Sequence, residues 1–339
     1  MSHKIKLSVL DQSPVRRGGT AVQALKESVQ LAKLTDRLGY TRYWVSEHHN
    51  TTSLAGSTPE VLIAHLAGET QHMRVGSGGV MLPNHSALKV AENFRMLEAL
   101  FPGRIDLGIG RAPGTDRITS TILNPSNRFK EEDLLQQLID LQDYLHDTHS
   151  PGASHQNVRA IPIADTAPDL WMLTSSGESG VIAAHFGMGV SFAHFINPVG
   201  GAQMIRAYKA RFTPSEQLKE PQASVGIFVF CSEDTEKVRQ TQAVMDWQLV
   251  NIGKGISNGF PSYEDIRNTN YSESERQMIE YNRQRMVVGT PQVVKEKLTA
   301  LAQSYGVDEL VIATITYDFN DRLKSYELLA EMFQLEKQD

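Results

Sequence analysis

Short apolar runs alternate with longer stretches of helical spacing from one end of the chain to the other. Residues 5–10, 42–45, 74–82 and 104–109 read as strands, and 21–38 and 89–100 as helices. A further helix opens at Thr58-Pro59, where the threonine can cap and the proline needs no amide donor. Residues 129–145 place Leu134, Leu138, Leu141 and Leu145 on one helical face. The second half repeats the rhythm less evenly. Strands are predicted at 170–174, 189–193, 224–230 and 309–313, and helices at 179–186, 201–212, 234–249 and 322–333. Thr290-Pro291 repeats the cap-plus-proline signal before a helix at 293–303.

Eight strands, each followed by helix, predict a single-domain (β/α)8 barrel; an open doubly wound sheet is the structural rival. At 339 residues the chain exceeds the roughly 250 typical of such barrels. The surplus falls in two insertions, after strands 4 and 7. Residues 150–168 are rich in Pro, Ala and polar side chains, and 251–285 in Gly, Asn, Ser and Tyr. Surface decoration is the plain reading of both. For 251–285 the position after a strand end also predicts a mobile lid over an active site.

Composition narrows the function classes. With 40% hydrophobic and 21% charged residues the chain is an ordinary globular one, neither disordered nor fibrous. A net charge of -6 argues against nucleic acid as a partner, since phosphate backbones call for a concentrated positive surface. The lone Cys231 lies in an apolar strand and reads as core rather than nucleophile. No apolar stretch approaches the ~20 residues of a membrane span or forms a secretory signal, so a cytoplasmic protein with no membrane partner is expected.

In a barrel, chemistry gathers where strands end. Glu47-His48-His49-Asn50 follows the second strand and invites a metal reading. Adjacent residues of extended chain point to opposite faces, the spacing is not H-E-x-x-H, and no second cluster completes a ligand set, so no metal is expected. Glu47 then pairs with polar groups while one histidine faces the pocket as acid, base or donor; two structural histidines are the alternative. Gly76-Ser77-Gly78-Gly79 interrupts the third strand, either as a bulge or, as we favour, as a face that lets a flat ligand come close. Gly108-Ile109-Gly110-Arg111-Ala112-Pro113-Gly114 is one residue too long for the dinucleotide fingerprint, and Arg111 reads better as a charge for an anion. After the fifth strand, Thr174-Ser175-Ser176-Gly177-Glu178-Ser179-Gly180 offers hydroxyls and free amides at a helix start. This is a phosphate cradle unless Ser176 or Ser179 simply caps the helix.

These segments, in this order, resemble the bacterial luciferase-like flavin monooxygenase family. The resemblance spans nearly the whole chain. It is carried by Tyr43-Trp44-Val45-Ser46-Glu47-His48-His49-Asn50, by Gly76-Ser77-Gly78-Gly79-Val80-Met81-Leu82-Pro83-Asn84-His85, by residues 103–116, and by Val288-Gly289-Thr290-Pro291. It implies a (β/α)8 barrel that binds FMN at its strand ends, often as reduced FMNH2 from a separate NAD(P)H:flavin reductase. It also implies a small organic substrate, such as an aldehyde or sulfonate, and a homodimer. His48, with Glu47, matches the catalytic position near the flavin's reactive edge, and Gly78–Gly79 a non-proline cis peptide beneath the rings. Ser77, Gly78 and Gly79 would bear the flavin. Arg111, Ser176 and Ser179 match phosphate-binding positions, with Ser175 and Gly177 completing the cradle and Arg128 adding a second charge. Glu178 departs from that pattern, because a carboxylate would repel the phosphate unless it points away. Gly110 stands where the light-emitting subunits carry a reactive cysteine, so luminescence is not expected. A deazaflavin-dependent oxidoreductase and a non-catalytic flavin-binding protein are the alternatives on the same barrel, and a metal hydrolase is a more distant one.

Overall fold

The computed structural model describes residues 4–338 apart from 113, 127, 129, 152–156 and 257. Pro113 of the fourth-strand motif and parts of both insertions therefore lie outside the described residues. Strands β1 (Lys6–Asp11), β2 (Arg42–Val45), β3 (Arg74–Met81), β4 (Ile105–Gly110), β5 (Asp169–Thr174), β6 (Gly189–Ala193) and β7 (Ala223–Cys231) pair in chain order. All run parallel. A short β8 (Met286–Gly289) pairs with the second half of β7, and β9 (Glu309–Ala313) closes the ring between β7 and β1. The result is an eight-stranded (β/α)8 barrel, as the alternation predicts, with β8 as a ninth strand that the sequence pattern does not reveal.

The surrounding helices are α1 (Ala21–Arg37), α2 (Pro59–Glu69), α3 (Ala87–Leu100), α4 (Arg117–Leu123), α5 (Glu131–His146), α6 (Glu178–His185), α7 (Gly201–Arg211), α8 (Thr235–Gly253), α9 (Tyr263–Ile266), α10 (Glu273–Arg283), α11 (Pro291–Tyr305) and α12 (Phe319–Met332). Helices α2 and α11 start at the prolines expected, but neither Thr58 nor Thr290 makes a side-chain cap. The proline alone marks the start there. At α1 the capping is complete: Thr20 Oγ1 accepts from the Gln23 amide and Gln23 Oε1 from the Thr20 amide.

Alternation along each strand splits the core in two. Outward residues such as Leu7, Val9, Tyr43 and Val75 pack against the helices. Inward residues Leu10, Trp44, Trp171, Phe228 and Val311 form a second cluster inside the barrel. Near the N-terminal ends of the strands the interior is charged rather than apolar. Arg42 bridges Asp106 (2.7 Å) and Glu309 (2.6 Å), and Arg74 donates to Asp106 at 2.6 Å. Burial would raise the Asp106 carboxyl, but Arg42 and Arg74 outweigh it and hold it below the usual range. Arg42 also lies 4.6 Å from the Trp171 ring centroid, and Trp171 meets Trp44 edge to face at 5.4 Å. This charged floor lies at the opposite end of the barrel from the strand ends where barrel chemistry sits.

Candidate active site

The cavity opens among the C-terminal ends of the strands, where barrel chemistry sits. Its free volume, counting the part open to solvent, is about 940 Å³. Trp44, Gly78, Arg111, Ser175, Ser176 and Ser179 are among the residues that line it.

The glycine shelf forms because β3 cannot carry side chains there. A Cβ on Gly78 would lie 2.8 Å from Trp44 Cβ and 3.0 Å from Leu10 Cδ1. A Cβ on Gly79 would lie 2.6 Å from Leu173 Cδ1 and 2.7 Å from the Gly108 carbonyl oxygen. The Gly78–Gly79 peptide is cis, and the register with β4 shifts between Gly78 and Val80. Both sequence readings thus hold in part: the strand is irregular here, and Gly78 faces the cavity. Ser77 does not. Its hydroxyl donates to the Gly108 carbonyl (2.8 Å) and accepts from the Gly108 amide (3.0 Å), so it ties β3 to β4 and is not free for a ligand. Gly79 also lies outside the cavity lining, behind Leu173.

Glu47 and the two histidines separate as strand geometry requires. His48 lines the cavity, with Nδ1 3.1 Å from Ser46 Oγ and its amide bonded to the Gly56 carbonyl. Burial pushes its pKa down, more than the nearby Glu47 charge restores, so the imidazole is neutral near pH 7. His49 turns instead to Glu47, at 2.8 Å. Glu47 itself is fully buried and lines no part of the cavity. Its Oε1 also meets His85 Nε2 (2.9 Å) and Asn84 Nδ2 (3.2 Å), and its Oε2 accepts from the Met81 amide (2.8 Å). Glu47, expected beside His48 at the reactive centre, instead joins the β2 end to the β3 end outside the cavity lining. Burial alone would raise its carboxyl, but His85, His49 and the Met81 amide together hold it below the usual range. His85 and Asn84, which the sequence shows only as part of a motif, hold the clamp together. Among the described residues, no group of three or more His, Cys, Asp or Glu side chains is placed to hold a metal ion.

The anion cradle assembles from β4, β5 and α6. Arg111, just past β4, donates from Nη2 to Ser176 Oγ at 3.3 Å and from Nη1 to Glu178 Oε2 at 2.5 Å. Glu178 does not point away; it pairs with the arginine. Helix α6 starts after Gly177 with no side-chain cap, so neither Ser176 nor Ser179 spends its hydroxyl on capping. The first-turn amides are left open, an arrangement suited to an anion. Thr174 Oγ1 braces the turn by donating to the Ser176 carbonyl (2.7 Å) and accepting from its amide (3.1 Å), and Asn197 Nδ2 holds the Ser175 carbonyl at 3.0 Å. Gly177 and Arg128 do not line the cavity; Arg128 is exposed.

Gln12, Phe195 and Ile196 also line the cavity and were not singled out from the sequence. Gln12 follows directly on β1, so the rule that strand ends carry chemistry could have found it. The place of a side chain on Gly110 is taken by the Met81 thioether, which a Cβ would meet at 2.5 Å. None of the described residues of 251–285 lines the cavity. The insertion touches the lining through Arg285, whose Nε donates to the Phe195 carbonyl at 2.7 Å, and packs on the segment after β1 through Phe260 and on α8 through Arg283, which pairs with Asp246 at 2.7 Å. Cys231 is buried and its thiol is pushed up to about 12 by burial, which fits core and not a nucleophile. No described helix is long and apolar enough to cross a membrane.

Comparisons with known proteins agree with this geometry. The family model for luciferase-like monooxygenase matches residues 5–309. The chain is 50% identical to the uncharacterized protein YwcH of Bacillus subtilis, covering 97% of this chain and 99% of that one. It is 36% identical to an N-acetyl-S-alkylcysteine monooxygenase of the same organism, over 96% and 98%. Among solved structures, apo-MsnO8 superposes with a TM-score of 0.89 at 36% identity, covering 99% of each chain. The oxygenating constituent of 3,6-diketocamphane monooxygenase from Pseudomonas putida, solved with FMN, shares the fold at a TM-score of 0.71 and 18% identity, over 97% of each chain. A glycine shelf, a pocket-facing histidine and an arginine-bearing cradle on one barrel mouth, with these matches along the chain, place it in the luciferase-like monooxygenase family.

Proposed function

We propose that the protein is a flavin-dependent monooxygenase that takes reduced FMN and O2 to oxidise a small organic substrate. The observation that carries this reading is the cradle of Arg111, Ser176 and the uncapped start of α6, set in the same cavity as the Gly78 shelf. The residues present fit the group: open amides and a guanidinium for a phosphate, and a face without side chains for a flat ring system. Reduced FMN, when bound, would supply the electrons for oxygen activation.

The chain's own residues would do the rest. Arg111, Ser175, Ser176 and Ser179 would anchor the phosphate, and Gly78 would admit the rings. His48, neutral and fixed at Nδ1 by Ser46, would hold or move a proton at Nε2, which has no partner among the described residues. The charged floor and the tryptophan pair would keep water from entering behind the ligand. A separate flavin reductase and pairing of two copies complete the reading. The exposed apolar Val61, Met96 and Leu100 on α2 and α3 are side chains that such pairing would cover.

Anaerobic titration with photoreduced FMN tests this function. Saturable binding supports it, and absence of binding up to millimolar flavin, on the order of the weakest useful affinities, overturns it. Competition against a reduced deazaflavin separates the alternative cofactor on the same barrel.

A further inference from the structure

Glu178 is the first residue of α6, its side chain is 71% exposed, and its carboxylate sits 2.5 Å from Arg111 Nη1. Among the described residues Arg111 is the only arginine or lysine lining the cavity, so a ligand phosphate and Glu178 would seek the same guanidinium and the same helix start. We propose that Glu178 is an internal competitor for the cofactor phosphate, an affinity-setting residue that occupies Arg111 until a phosphate displaces it. This deepens the flavin reading and rests on it.

Three features make the exchange feasible. The Arg111–Glu178 pair is exposed, and exposed pairs are weak, so a phosphate with more charge and more oxygens displaces the carboxylate at small cost. The Ser176 hydroxyl holds Arg111 Nη2 at the same time, so the guanidinium keeps its place when Glu178 leaves. The Glu178 side chain faces solvent for most of its surface, so it can leave the arginine without displacing protein atoms. The arrangement suits a flavin that arrives reduced and departs oxidised, because a site that surrendered Arg111 freely would retain its ligand longer.

The test compares the full-length wild type with Glu178→Gln, a near-isosteric change at an exposed position. FMN, riboflavin and inorganic phosphate are titrated separately, with flavin binding followed by fluorescence and phosphate binding by the rise in Tm. Glu178→Gln is expected to tighten FMN by roughly fivefold, the upper end for one exposed ion pair. Riboflavin affinity should stay within about twofold, because it lacks the phosphate. Inorganic phosphate should raise the Tm of the variant more than that of the wild type. FMN binding that is unchanged or weaker in Glu178→Gln, or a riboflavin affinity that moves as far as that of FMN, overturns the proposal. If neither protein binds any flavin, the flavin reading fails, and the phosphate arm still decides the matter: an equal response of the two proteins to phosphate overturns the competition.

Discussion

Trp44 donates its indole N–H to Asp106 Oδ2 at 2.9 Å while its ring forms part of the cavity wall. One side chain therefore joins the charged floor of the barrel to the site above it. Trp44 is held from below by a carboxylate that also serves Arg42 and Arg74, and from the side by the edge of Trp171. The wall of the pocket is only as fixed as that ion cluster.

Asp106→Asn should leave Arg42 and Arg74 without their shared counter-charge inside the barrel. Removing one partner of a buried pair costs about 3–5 kcal/mol. Denaturant unfolding should show a loss of that size. A loss below about 1 kcal/mol would mean that Glu309 and Asp169 alone neutralise the two arginines.

Gly78→Ala places a Cβ 2.8 Å from Trp44 Cβ, an atom that cannot move without its strand. Overpacking of this kind costs roughly 1–3 kcal/mol. The variant should melt at lower temperature and lose FMN binding. Retention of both would show that β3 can shift here without consequence.

Arg111→Ala should weaken FMN by about ten- to a hundredfold, the worth of hydrogen bonds to a charged group, and riboflavin by less than twofold. Equal losses for the two flavins would remove the arginine from the phosphate site.

His48→Gln should lower turnover by about 10²–10⁴, the range for lost proton transfer, with little change in flavin affinity. Because burial lowers the His48 pKa below the ordinary 6.5, the wild-type rate should hold at neutral pH and fall as acid protonates the ring. A rate that instead rises as pH falls through this range would refute a role for neutral imidazole.

The Glu47 clamp carries its own pH signature. Glu47 lies below its ordinary 4.5, so its contribution to stability is complete above that pH and is lost as pH falls through the lowered value. His85 is different: burial would lower its pKa, but the Glu47 hydrogen bond and charge raise it above 6.5. Its contribution is complete below 6.5 and is lost as pH climbs through the raised value. Unfolding midpoints of the wild type should therefore decline on the alkaline side of 6.5, and His85→Gln should flatten that decline. Parallel curves for the two proteins would exclude the clamp as its source.

The barrel was legible because its parallel strands are buried on both faces and read as apolar runs between helices of clear periodicity. All eight barrel strands fell where the runs lie. The ninth, Met286–Gly289, was missed because four residues carry no period of their own, and only pairing with β7 makes them a strand. The Arg111–Ser176 contact was anticipated because both residues close strand ends of one barrel. The burial of Glu47 and the diversion of Ser77 to β4 were not, since both depend on partners some 31 to 38 positions away in the chain, the Gly108 main chain and the His85 ring. Glu178 was read as a repulsion to be avoided, whereas the structure spends its charge on the arginine.

Strand β7 is shared end to end: residues 223–226 run beside β6, and 228–231 beside β8. The chain that leaves the barrel after β7 is thus stitched back onto the same strand before it enters α11. Both ends of the excursion that holds 251–285 are therefore anchored on one stave, and the ring of eight closes through β9 without drawing on it.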